Sequence, residues 1–244
     1  MEFPASWDLS FVIGVFLGDG SFVEDRDYHH HVKIIVRDRD LAEAFTRSLS
    51  RVLSRRLNRI VFVKNQGKTY YESKYSCRAL GLLLKQPFDY LRPLIDANPE
   101  AFIRGLFSAD GCASASLLGG RLRVQIVLAN SDVSLLRTVE DVLLTGLNIH
   151  SKTYLARRKG ASWKNGKKTV ILREDAYQLH ITRMNDVRVF ADKIGFAIHR
   201  KQAVLKTAIR LIESVGGTKA AKEWCTLYSK IGPRWQPRSE TIIN

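Results

Sequence analysis

The segment Val12-Ile13-Gly14-Val15-Phe16-Leu17-Gly18-Asp19-Gly20-Ser21 has a second version in the same chain, Ile103-Arg104-Gly105-Leu106-Phe107-Ser108-Ala109-Asp110-Gly111-Cys112. Both share one pattern: apolar, any residue, Gly, apolar, Phe, any residue, small, Asp, Gly. Asp19 and Asp110 stand 91 positions apart in the 244-residue chain. A repeat on this scale marks a duplicated structural unit.

The segments after the two copies match too. His31-Val32-Lys33-Ile34-Ile35-Val36 and Arg123-Val124-Gln125-Ile126-Val127-Leu128 alternate as strands with one apolar face and one basic or polar face. Arg37-Asp38-Arg39-Asp40-Leu41 and Ala129-Asn130-Ser131-Asp132-Val133 then open helices, expected over residues 41–57 and 133–147. Two further strands close each copy. They are expected over residues 60–64 and 70–77 in the first, and over 153–158 and 170–181 in the second. Their connections carry Gln66-Gly67 and Asn165-Gly166, which is hairpin-turn chemistry. Final helices are expected over 78–85 and 186–194. Pro87 and Pro93 mark a connector, and Asn98-Pro99 starts the second motif helix. A last helix over 200–214 stops at Gly216-Gly217, with a short helix beyond it around 220–229. The expected fold is α+β, two pseudo-symmetric αββαββα repeats whose motif helices pack at the interface. The halves are residues 1–97 and 98–214, with a tail over 215–244.

Composition bounds the function. Lys and Arg number 39 against 24 Asp and Glu, a net charge of +15, and hydrophobic residues make up 45%. That is too apolar for wholesale disorder, and no apolar run approaches the roughly 18–20 residues of a membrane helix. The N-terminus lacks the basic-then-apolar order of a secretory signal. Cys77, Cys112 and Cys225 are scattered, so they form neither a disulfide framework nor a thiolate zinc site. They fit a reducing compartment, the cytoplasm of a prokaryotic cell or an organellar matrix. His29-His30-His31 alternate between the faces of a strand and do not converge on a metal. The positive surplus points to a polyanion, nucleic acid first.

Gly14 and Gly18 lie four apart on one helical face, and Gly105 and Ala109 repeat the arrangement. Small residues at this spacing let the two motif helices touch. Asp19 and Asp110 then meet at the negative ends of two helix dipoles, an unfavourable placement for acids. A divalent cation resolves it, with carboxylate and phosphate oxygens as ligands. Gly20 and Gly111 suit left-handed helix stops. Between residues 151 and 173 lie Lys152, Arg157, Arg158, Lys159, Lys164, Lys167, Lys168 and Arg173, with Tyr154 and Trp163 interleaved and no acid among them. Such a ribbon fits a DNA major groove. The first half offers the sparser Lys64, Lys68 and Lys74 with Tyr70, Tyr71 and Tyr75, so the two half-sites are expected to be read differently. Arg121 and Arg123 add to the second sheet.

The two motifs resemble the LAGLIDADG motif of homing endonucleases, in the two-motif single-chain form, over residues 8–214. The resemblance implies saddle-shaped sheets gripping the major groove of a long double-stranded DNA target. It implies metal-dependent cleavage of both strands with short 3′ overhangs, and a monomer encoded within an intron. The metal site falls on Asp19 and Asp110 with the preceding Gly18 and Ala109, and the cation is Mg²⁺ or Mn²⁺. Gly14, Gly18, Gly105 and Ala109 take the helix-packing positions. Lys33 and Gln125, at positions matched by the strand alignment, and Asn130 are candidate supporting groups. The run His199-Arg200-Lys201 is similar to a lysine-bearing segment of the family, which leaves Lys201 or His199 as the supporting base. Some relatives act on intron RNA as maturases and others only bind DNA. Met1 and the absence of splicing-domain blocks favour a free-standing protein over an intein.

Overall fold

The computed structural model describes residues 3–24, 29–65, 67–165, 168–231 and 234–238. Helix α1 (Trp7–Asp19) begins at Ser6, whose hydroxyl accepts from the Leu9 amide at 3.2 Å. Leu9 through Phe16 are all buried, as a helix apolar on every side must be. It is the central element, packed on α5 (Pro99–Ala109), the other motif helix. Pro99 sits in the first turn of α5, where its missing N–H costs nothing.

The two backbones touch. A Cβ at Gly14 would lie 2.2 Å from the Phe102 carbonyl oxygen and 2.8 Å from the Leu106 nitrogen. A Cβ at Gly105 would lie 2.3 Å from the Phe11 oxygen and 2.9 Å from the Val15 nitrogen. Phe11 and Phe102 are matched by the repeat, as are Val15 and Leu106, so the contact is two-fold symmetric. One turn on, a Cβ at Gly18 would stand 2.6 Å from that of Ala109, so only one of this pair can carry a methyl group.

Each motif helix runs directly into a strand. Strands β1 (Gly20–Glu24), β2 (His30–Val36), β3 (Val61–Asn65) and β4 (Lys68–Ser76) form an antiparallel sheet ordered β1-β2-β4-β3. Strands β5 (Gly111–Leu118), β6 (Arg121–Asn130), β7 (Lys152–Arg157) and β10 (Ala176–Ile181) form its counterpart, β5-β6-β10-β7. In each, one face is core: Val32, Ile34 and Val36 in the first, Leu122, Val124, Ile126 and Leu128 in the second. Helices α2 (Arg39–Val52), α3 (Arg78–Leu84), α6 (Val133–Asp141) and α7 (Met184–Val189) complete the halves. α6 and α7 each end in a wider π turn, Val142–Gly146 and Phe190–Ile194. The fold is α+β with two αββαββα repeats.

Three details depart from the sequence pattern. Pro87 and Pro93 do not make a connector; Pro87 precedes and Pro93 lies within a helix, α4 (Phe88–Asp96), which persists because Leu91 and Ile95 are fully buried. The expected strand over 170–181 divides into β9 (Lys168–Ile171) and β10. β9 pairs with β8 (Ser162–Asn165) as a separate hairpin, and Asp175 turns the chain by accepting from the Lys159 amide at 2.6 Å. Gly20 is extended, not left-handed, with φ −82°. Its role and that of Gly111 is clearance: a Cβ would come within 2.4 Å of Phe16 and 2.7 Å of Phe107. The stop expected at Gly216 is present: the helical stretch α8 (His199–Leu227) is two helices meeting at a kink there, where the backbone is not helical (φ 73°).

Beyond the bend, Trp224 is fully buried and stacks on Tyr228 at 4.0 Å. A hairpin of β11 (Tyr228–Ile231) and β12 (Arg234–Pro237) brings Trp235, whose indole N–H donates to the Ala115 carbonyl at 3.0 Å. The tail thereby covers the β5 edge of the second sheet, a position open to unwanted strand pairing. None of the three cysteines forms a disulfide, and among the described residues no helix is long and apolar enough to cross a membrane.

Replacing Gly14 with Ala forces a methyl group into a backbone carbonyl. Gly14→Ala is expected to lower stability by about 1–3 kcal/mol, read as a shift of the urea midpoint. An unchanged midpoint would show that the helices are not in backbone contact.

Candidate active site and nucleic-acid interface

Asp19 ends α1 and Asp110 comes directly after α5, so the helix contact carries both carboxylates to one place. A Cβ at Gly18 would be 3.4 Å from the Asp110 carboxylate, which shows how closely the second acid approaches the first helix. Burial raises the pKa of Asp110 to about 6, reinforced by the negative charge of Asp19 and opposed by Lys201. Asp19 is also raised, chiefly by burial and further by Asp38, with Lys201 opposing. Two neighbouring acids that both resist ionising form a site short of positive charge.

The donor set fits a hard divalent cation. Among the described residues no cluster of three or more His, Cys, Asp or Glu assembles. The side chains that could hold a cation here are the two carboxylates, Asp19 and Asp110. Mg²⁺ is commonly held this way, through one or two carboxylates plus phosphate oxygens. The Ala109 carbonyl accepts from the Lys201 ammonium at 3.2 Å. Gly18 is where the helices meet.

Lys201 is buried, and its ammonium gathers the last carbonyls of α5. It donates to Ser108 O at 2.6 Å, Gly111 O at 2.6 Å, Ala109 O at 3.2 Å and Phe107 O at 3.5 Å. A cation at the carbonyl end of a helix is favourably placed. Burial still lowers the Lys201 pKa to about 8, with Arg200 adding to the shift and the Asp38 and Asp19 charges resisting it. His199 differs. Its side chain is 94% exposed, its backbone N–H donates to Asp40, and its charge enters neither aspartate's shift. Of the two, Lys201 is the group coupled to the carboxylates. Arg200 meanwhile grips Asp38 through two bonds, at 2.6 and 2.7 Å, tying the second half to the start of α2 in the first.

The strand registers decide what faces outward. Gly20 pairs with Ile34, and Gly111 pairs with Leu128. Lys33 is therefore matched by Val127, and Gln125 by His31, two residues away from the match that the sequence pattern indicates. Lys33 lies across from Lys74 on the open face of the first sheet, so two cations stand side by side. Lys68 shares the parity of Lys74, whereas Lys64 lies on the opposite face, with Phe62 and Tyr71. Tyr75 is core, its hydroxyl donating to Arg56 O and accepting from the Asn58 amide. Asn130 accepts from the Asp132 amide at 2.9 Å, a turn that starts α6.

On the second sheet the open face carries Arg121, Arg123, Gln125, Lys152 and Tyr154. Arg157 lies beyond a bulge, and Arg158, Lys159, Lys164 and Arg173 are exposed around the β8–β9 hairpin. Lys167 and the side chain of Lys168 lie outside the described residues. His180 and Gln178, which no motif singles out, belong to the same open face. His180 stands across from Val127 and Lys152, and Gln178 across from Ala129 and Tyr154. The signal for both was the period-2 alternation of β10.

The pattern of the LAGLIDADG-like domain matches this chain twice, over residues 6–86 and 97–195, and the chain belongs to that family. Among solved structures, the homing endonuclease I-DmoI in complex with DNA and Ca is similar at a TM-score of 0.57 and 19% identity, covering 83% of this chain and 98% of that one. Full-length DUF199/WhiA from Thermatoga maritima is similar at 0.51 and 16%, covering 91% and 67%. Uncharacterized protein MJ0398 of Methanocaldococcus jannaschii is 28% identical over 217 residues, 88% of this chain and 75% of that protein. The structural likenesses establish the fold, two motif-bearing halves in one chain.

Lys201→Met strands carbonyls that now share a buried charge and is expected to destabilise the protein by about 2–3 kcal/mol. A second signature concerns pH. The folded state holds the Lys201 proton less tightly than the unfolded chain. Wild-type stability in metal-free buffer therefore gains from this group as pH rises from about 8 toward the ordinary lysine value. Urea titrations across that range should show this gain in the wild type and not in Lys201→Met.

Proposed function

We propose that the protein is a site-specific, divalent-metal-dependent endonuclease acting on double-stranded DNA. The observation that carries this reading is the pair of acids at the ends of two touching helices, both held back from ionising and the second repelled by the first. Asp19 and Asp110 would hold the metal. Mg²⁺ or Mn²⁺ bound there supplies charge neutralisation at the scissile phosphate and a water nucleophile active at neutral pH. I-DmoI has been crystallised in complex with DNA and Mn as well as with DNA and Ca, which is consistent with a divalent metal here.

The chain's residues do the rest. Lys201 keeps the end of α5 closed and offsets part of the repulsion between the acids. Lys33 and Lys74 present paired positive charge to backbone phosphates beside the first half's motif. The open face of the second sheet and the β8–β9 hairpin offer arginine, lysine and amide donors to a groove. Two unlike halves in one chain suit a long, asymmetric target cut on both strands, with the short 3′ overhangs of the family. Three free cysteines suit work inside a cell or organelle. A second reading is a DNA-binding protein of the same frame that does not cut, which the same open, basic sheet faces would serve.

Two measurements separate these. With a genomic fragment library and Mg²⁺, the wild type should produce breaks at a defined sequence, while Asp19→Asn and Asp110→Asn should bind the same DNA within a few-fold and leave it intact. Breaks at the normal rate on both strands by Asp110→Asn would sink the metal assignment; tight binding without cutting by the wild type would favour the second reading. Lys33→Gln and Lys74→Gln should each flatten the log–log salt dependence of affinity by about 0.9.

A further inference from the structure

Three side chains on the open face of the second sheet are joined in a way the proposed reaction does not need. Gln125 Oε1 lies 3.4 Å from His180 Nδ1, and Gln178 Oε1 lies 3.1 Å from His180 Nε2. The Tyr154 ring meets the imidazole edge-on at 5.5 Å, and Lys152 Nζ stands 5.5 Å from the Tyr154 ring. All five residues share one face by register. His180 occupies the ladder position that Lys74 holds in the first half, and Gln178 that of Glu72.

An imidazole between two amides sets their orientations. Burial lowers the His180 pKa, which favours the neutral ring. A neutral ring donates through one nitrogen and accepts through the other. An amide exchanges its oxygen and nitrogen by a half-turn, so one glutamine must give its oxygen to the ring and the other its NH₂. The first then turns its NH₂ group to solvent and the second its oxygen. Free glutamines on a surface would show either.

We propose that Gln125 and Gln178 form a preset donor–acceptor reader in the half-site bound by the second sheet, with His180 as the residue that positions them. The donor amide requires a keto edge, guanine O6 or thymine O4, and the acceptor amide requires the amino edge of adenine or cytosine at a neighbouring base pair. This rests on the reading of the open face as a DNA-binding surface. It adds that discrimination there is set by a histidine that need not touch a base.

The test is selection from a randomised duplex DNA pool without added divalent metal. Wild-type protein should show a keto preference and an amino preference at two neighbouring positions, about tenfold each. His180→Phe retains the ring against Tyr154 but lacks both nitrogens. It should reduce both preferences to under threefold while leaving preferences elsewhere, the salt dependence and affinity for unrelated duplex unchanged. Gln125→Leu and Gln178→Leu should each erase one of the two positions, which keeps the test valid if His180→Phe folds poorly. Unaltered preferences in His180→Phe, or an equal loss of affinity for every sequence, would overturn the proposal while leaving the endonuclease reading in place. A wild-type pool with no sequence preference at all would instead remove the site-specific reading, and the proposal with it.

Discussion

Backbone contact between α1 and α5 is the constraint on which the rest of the molecule depends. Gly14 and Gly105 are the points of closest approach, each facing a peptide of the other helix with no room for a Cβ. This contact places the two helix ends together, and with them Asp19 and Asp110. It also fixes the two sheets relative to one another, because β1 and β5 start at the residue after each motif's acid. Buried residues of both halves then form one continuous core around the helix pair.

A chain with a surplus of +15 has placed two acids where both resist ionising. That arrangement persists because tertiary structure overrides it. Lys201 answers the negative end of α5 and partly offsets the carboxylates. Asp38 and Asp40, at the start of α2, are occupied by the start of α8, through the Arg200 side chain and the His199 amide. The same few residues therefore tie the halves together beside the motif acids.

The halves share a frame but differ in surface. Where the first sheet sets Lys33 beside Lys74, the second sets Val127 beside His180. The second half adds the β8–β9 hairpin, and the tail seals only its edge strand. A frame kept symmetric by close helix packing, with faces free to diverge, suits a partner whose two halves are chemically unlike.

Much of this was legible in the sequence. The doubled Gly-x-x-x-small-Asp-Gly pattern carried the duplication, the helix pairing and the two acids, because close packing admits few residue types and leaves a visible signature. Alternation in Val32-Lys33-Ile34 and in Val124-Gln125-Ile126 determined which side chains face out. Alternation has a period of two, however, and reads the same after a shift of two residues. Only the pairing of Gly20 with Ile34 and of Gly111 with Leu128 decided that Lys33 answers Val127 and not Gln125. The helix across Pro93 owes its existence to burial of Leu91 and Ile95. That Lys201 lies at the end of α5, and that His180 sits between two glutamines, depends on which strands and helix ends meet. Local pattern fixes what a segment prefers; contacts between residues some 90 positions apart, such as Lys201 with Gly111, arise only when the chain is folded.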